Sequence, residues 1–153
     1  MTPKPKPFKY KVHHQVYKPA PFGTISRANY EEQLSGLIGG NKASDIEERF
    51  YRALAKNPHI TGTEFRYPVI AGRNQPGQLE VDFVVSIGPL VYAYQVDGDY
   101  AHKGIGKKQD DARKDELVNQ YMKRFGAQPV KRIPGDTLRD QDAADRVVKE
   151  LLQ

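Results

Sequence analysis

The sequence holds no cysteine. That rules out disulfides, thiolate zinc sites and cysteine nucleophiles together. It also lacks any run of about 18 apolar residues, so nothing in it reads as a membrane-spanning helix. Met1 to Tyr10 mix Lys with Pro and have no apolar stretch of the kind a secretory signal needs. These absences describe a soluble, intracellular-type chain with no membrane partner, cytoplasmic or nucleoid-associated rather than secreted.

Acids are missing too, but only locally. Residues 1–30 contain Lys4, Lys6, Lys9, Lys11, Lys18 and Arg27 and no Asp or Glu, so this segment carries +6 of a total formal charge of +5. The other 123 residues hold 18 basic against 19 acidic side chains, a net of −1. The basic character therefore belongs to the arm and not to the body. A cationic arm is drawn to phosphate backbones, because each neutralised phosphate releases counterions, or to an acidic protein surface. Pro3, Pro5, Pro7, Pro19 and Pro21 remove backbone donors and block helix, so the arm is expected to be extended. Phe8, Tyr10, Tyr17 and Phe22 are its candidate anchors.

A length of 153 residues with 38% hydrophobic residues suits one domain and a modest core. The expected division is an arm over 1–28 and a folded domain over 29–153. Asn29 and Glu32 have capping-box spacing ahead of Tyr30, Leu34, Leu37 and Ile38, which predicts a first helix ended by Gly39-Gly40. Ser44 with Glu47 opens a second, burying Ile46, Phe50 and Leu54 and stopped by Pro58. Strands are expected at Phe65–Ile70, Leu79–Ser86 and Leu90–Asp97, separated by Gly72–Gly77 and by Gly88-Pro89. A polar helix over about Lys107 to Arg124 follows, with the stripe Leu117, Val118, Tyr121, Met122 and Phe125. Then come a short strand over Gln128–Ile133 and a last helix over about Asp140–Leu152. The order α-α-β-β-β-α-β-α predicts an α/β (α+β) domain, a small mixed sheet flanked by helices.

Alternation along strands locates the candidate chemistry. Over Leu79–Val85 the apolar Leu79, Val81, Phe83 and Val85 are expected on one face, with Glu80 and Asp82 on the other. If Gly88-Pro89 is a two-residue hairpin loop, paired positions sum to 177, so Asp82 opposes Gln95 and Glu80 opposes Asp97, about 5 Å apart at Cβ. Three carboxylates and an amide on one patch repel unless a cation is present, and Mg²⁺ takes such oxygen ligands. A solvated polar sheet face is the plainer alternative. At Gln95-Val96-Asp97-Gly98-Asp99-Tyr100-Ala101-His102 a strand runs straight into acids, glycine and histidine, as strand ends bearing chemistry do. Glu47 is placed to reach the same edge but also completes a capping box; Glu48 reads as a solvated neighbour.

Other motifs carry little. Gly104-Ile105-Gly106-Lys107-Lys108 lacks P-loop spacing, His13-His14 lack metal-ligand spacing, no serine lies in a nucleophile elbow, and His59 follows a proline in a loop.

Seven short pieces nonetheless occur in one order: Ser44 with Glu47, Val81-Asp82-Phe83, Gln95-Val96-Asp97-Gly98, His102, Asp110 with Arg113, Leu117, and Val130-Lys131-Arg132. Over roughly 44–135 this resembles the PD-(D/E)XK nuclease superfamily, in its branch related to the very-short-patch-repair endonuclease. The chain departs from that pattern at Gln95, where the motif has an acid, and at Asp97, where no Lys stands. His102 falls one residue late, and the helix beyond Leu117 is longer. The resemblance implies a restriction-endonuclease-like core and a DNA endonuclease dependent on Mg²⁺ or Mn²⁺. Asp82, Gln95, Val96 through its carbonyl, and Asp97 would be the metal ligands. Glu47, His102 and Lys103 would complete the catalytic set. Lys4, Lys6, Lys9, Lys11, Lys18, Arg27, Lys107 and Lys108 are the expected nucleic-acid contacts, and RNA stays open beside DNA. The competing expectation keeps the fold without turnover: a structural or binding subunit of a nucleoprotein or virion assembly, whose arm is ordered by a protein partner.

Overall fold

A strand that is apolar on both sides needs a cover on each face of its sheet, and β-forming residues 79–97 are of this kind. The computed structural model describes residues 32–69, 79–98 and 104–153. A two-stranded hairpin comes first, β1 (Leu37–Ile38) and β2 (Asn41–Lys42), followed by helix α1 (Asp45–Ala55). Strands β3 (Gly62–Val69), β4 (Leu79–Ile87) and β5 (Leu90–Asp97) follow, then α2 (Ile105–Met122), β6 (Lys131–Pro134) and α3 (Gln141–Leu151). The sheet order is β3-β4-β5-β6, antiparallel except for the parallel β5–β6 pair. This is a mixed α/β architecture. Among the described residues no helix is long and apolar enough to cross a membrane.

Each sheet face has its own core. Phe83, Val85, Tyr94 and Ile133 pack with Phe50 and Leu54 of α1 and Ala144 and Val148 of α3. Val69, Val81, Val84 and Ala93 pack with Val118 and Met122 of α2. The expected sharing of one face by Val81 and Phe83 does not occur, because β4 changes sides between them. Its neighbour does the same: Phe65 lies with the first core and Tyr67 with the second. Arg66, between them, has φ +58, a left-handed conformation rare outside glycine. Phe65 pairs with Phe83 and Tyr67 with Val81, and the register skips the position between them, so both strands turn over at Arg66 and Asp82.

The described part of the expected first helix, residues 32–38, is not helical. Gly36, Gly39 and Gly40 have φ of +77, +60 and +85, and Gly39-Gly40 is the tight turn joining β1 to β2. Two successive positive φ values are what that turn requires. Glu48 holds this segment down. It is fully buried rather than solvated, and its carboxylate accepts from Ser35 N–H (3.0 Å), Ser35 Oγ (2.8 Å) and Gly36 N–H (2.7 Å). Burying that charge is tolerable because it is hydrogen-bonded.

Other boundaries moved less. The short strand expected over Gln128–Ile133 forms as Lys131–Pro134, with Ala127 bridging to Val91. The helix expected to Arg124 ends at Met122 in a 3₁₀ turn, with Gly126 left-handed after it. That turn leaves Phe125 half exposed and out of the expected buried stripe.

Candidate active site at the opening between two strands

The hairpin register is the expected one: Ile87 pairs with Leu90, and the rungs continue to Phe83 opposite Tyr94. Gly88 takes φ +57 at the first turn position, where a tight hairpin accepts glycine. Beyond Phe83 and Tyr94, side chains replace the backbone ladder. The Asp82 N–H donates to Gln95 Oε1 (2.9 Å), Gln95 Nε2 donates to the Glu80 carbonyl (3.0 Å), and the Val96 N–H donates to Asp82 Oδ2 (2.7 Å). Asp82 and Gln95 thus meet in the opening between β4 and β5. The Asp82 carboxyl is pushed up to about 6, chiefly by burial and further by the negative charges of Glu47 and Glu80, against the pull of the Val96 N–H and of Arg132.

α1 brings Glu47 close enough for its charge to act on Asp82. Ser44 Oγ accepts from the Glu47 N–H (3.3 Å), and Glu47 Oε1 accepts from the Ser44 N–H (2.9 Å), completing the expected capping box. Ile46 seats that first turn against the ends of β5 and β6. A Cβ on Gly135 would lie 2.9 Å from Ile46 Cδ1, 3.0 Å from Gly98 Cα and 3.1 Å from the Asp97 carbonyl oxygen. Only a bare backbone fits there. Glu47 therefore caps its helix while acting on Asp82 through its charge.

Asp97, expected on the patch around Asp82, has an ionic partner of its own. It is buried and lies against Arg132, at 3.5 Å. Arg132 stands beside Gln95 in the parallel register and forks onto Asp115, with Nε and Nη2 each at 2.8 Å; Asp111 lies at 3.9 Å. Burial opposes the guanidinium charge, but the bonds and fields of Asp115, Asp111 and Asp97 outweigh it and push its pKa up. The resemblance rests in part on Asp110 with Arg113, and Asp110 pairs outward with Lys114. The signal was available in the helical row Asp111, Asp115, Val118, Met122, whose apolar end faces the sheet.

Glu80 pairs with Arg66 across β3 and β4 (3.3 Å). Lys107 and Lys108 are exposed on the first turns of α2, whose N-cap is Gly104. His102, Lys103 and the expected arm residues Lys4, Lys6, Lys9, Lys11, Lys18 and Arg27 lie outside the described residues, as do Asn29 and Gly72–Gly77.

The chain matches no family model, no curated protein and no solved structure.

Among the described residues no group of three or more His, Asp or Glu is arranged to hold a metal ion. The chemistry of Asp82 nonetheless fits a hard cation: a carboxylate raised by burial and by two like charges is relieved by positive charge. Glu47 can share that role. Gln95 fits less well, since both ends of its amide are already engaged.

Proposed function

We propose that this chain is a small metal-dependent DNA endonuclease of the PD-(D/E)XK type, hydrolysing phosphodiester bonds at Asp82. The observation that carries the proposal is the place of Asp82: a raised carboxyl where two central strands part, with Glu47 near it. The run α1-β3-β4-β5-α2-β6 around one mixed sheet supports a restriction-endonuclease-like core.

Asp82 and Glu47 would hold Mg²⁺ or Mn²⁺, which when bound supplies charge to polarise a phosphate and to lower the pKa of a water. The chain's own residues do the rest. The Val96 N–H fixes Asp82 Oδ2 and with it the plane of the carboxylate. Asp97, through Arg132, braces the end of β5 against α2. His102 positions the water or protonates the leaving oxygen. Lys103, Lys107 or Lys108 stabilises charge developing on the phosphate. The basic arm follows the nucleic-acid backbone without reading bases.

A second reading, a nuclease-fold binding or structural subunit without turnover, is favoured by one observation: Gln95 brings no charge and its amide is committed to the strands. Incubating duplex, mismatched, branched and single-stranded DNA with the full chain in Mg²⁺, Mn²⁺ or EDTA separates the two. Metal-dependent cleavage lost in Asp82→Asn is expected. Binding of DNA with no cleavage of any form would favour the subunit.

A further inference from the structure

The resemblance assigns Gln95 to the metal, but its bonds describe another task. Past the rung of Phe83 and Tyr94, the Asp82 N–H and the Glu80 carbonyl are met by the Gln95 side chain. The Val96 N–H is met by the Asp82 side chain. These backbone groups are partly buried, and leaving them unmet is costly. One side chain must accept from an N–H and donate to a C=O, and a carboxamide offers both where a carboxylate can only accept. An acid here would set its oxygen against the Glu80 carbonyl oxygen with no hydrogen between them. A Gln95 Oε1 drawn to a cation would have to share or weaken its bond to the Asp82 N–H.

We infer that Gln95 is a positioning residue and not a metal ligand: its amide bridges Asp82 and Glu80, frames the opening between β4 and β5, and so sets the Asp82 carboxylate. This explains why the position carries an amide where the resembled motif has an acid. The bonds are reciprocal. Side chain 95 holds the backbone of residue 82, and side chain 82 holds the backbone of residue 96. Loosening the first therefore loosens the group that bears the chemistry. The effect on catalysis rests on the proposed nuclease reading; the frame itself does not.

The test compares the full-length parent with Gln95→Ala and Gln95→Glu by NMR. It reads the amide exchange rate of Asp82 and the carbon-detected titration of its carboxyl, both without metal, and then Mn²⁺ binding. In Gln95→Ala the Asp82 amide should exchange about tenfold faster or more, the fold-change for a net hydrogen bond of ordinary strength. The amides of residues 83–87 should keep their rates. The Asp82 titration midpoint should move, which a role confined to holding the fold would not require. Gln95→Glu should show the same faster exchange and no tighter Mn²⁺ binding. If Gln95→Ala does not fold, Gln95→Met, which keeps an unbranched stem, takes its place with the same expectations. An Asp82 amide that stays protected in Gln95→Ala overturns the inference. So does a Gln95→Glu protein that keeps the protection and binds Mn²⁺ more tightly. A parent that neither binds Mn²⁺ nor cleaves DNA, yet loses Asp82 protection in Gln95→Ala, refutes the nuclease reading and upholds the frame.

Discussion

At the scale of a single residue, Asp82 makes folding stability depend on pH. Its carboxyl moves from 3.8 to about 6 on folding, so the folded chain holds that proton more tightly than the unfolded one. The resulting contribution to stability is full below about pH 4 and is lost as pH rises through about 6. The loss is on the order of 3 kcal/mol. Asp82→Asn keeps an oxygen to accept the Val96 N–H but cannot ionise. Its stability relative to the parent should therefore climb between about pH 4 and about pH 7 and then level off, as read from denaturant midpoints along a pH series. Curves that stay parallel would mean Asp82 does not titrate in that window. Part of this was legible in the sequence: pairing about Gly88-Pro89 brings Asp82 to Gln95. That their side chains would stand in for missing backbone rungs was not, because alternation assumes an unbroken ladder.

Among the elements, the well-marked ones followed from an apolar period meeting a terminator. Ser44 and Glu47 cap α1, Gly88-Pro89 turns β4 into β5, and Asp140 caps α3 through the Ala143 N–H. Residues 32–38 defeated the same logic, since glycines with positive φ and the buried Glu48 favour a hairpin over a helix. Glu48→Ala should cost about 1–3 kcal/mol by stripping acceptors from Ser35 and Gly36, with faster amide exchange confined to residues 35–43. Phe83 is fully buried, edge-on to Phe50 at 5.2 Å and beside Phe65 at 5.1 Å. Phe83→Ala should lower stability by about 3–5 kcal/mol. Gly135→Ala should lower it by about 1–3 kcal/mol, because two of the three atoms in its way are backbone and cannot swing aside. Calorimetry of the two variants checks both; a Gly135→Ala melting point equal to the parent's would mean that α1 is not seated by that close approach.

For the whole molecule, the division of charge between arm and body makes the proposed nucleic-acid binding testable. Deleting residues 1–24 removes five lysines and leaves Asp82, Gln95 and Glu47 in place. If the arm follows phosphates, every phosphate it no longer neutralises should reduce the salt slope of log K on duplex DNA by about 0.9, with little change in cleavage at saturating DNA. Equal affinities and equal slopes for the full and shortened chains would assign the arm to a protein partner.

A divalent ion at Asp82 is the central claim, and Mn²⁺ binding by the full chain near neutral pH, followed through water-proton relaxation, measures it directly. The parent should bind Mn²⁺ and release it to excess Mg²⁺. Glu47→Gln should bind more weakly, and Asp82→Asn should show no site. Equal Mn²⁺ binding by the parent and Asp82→Asn, or none by the parent, would contradict the assignment.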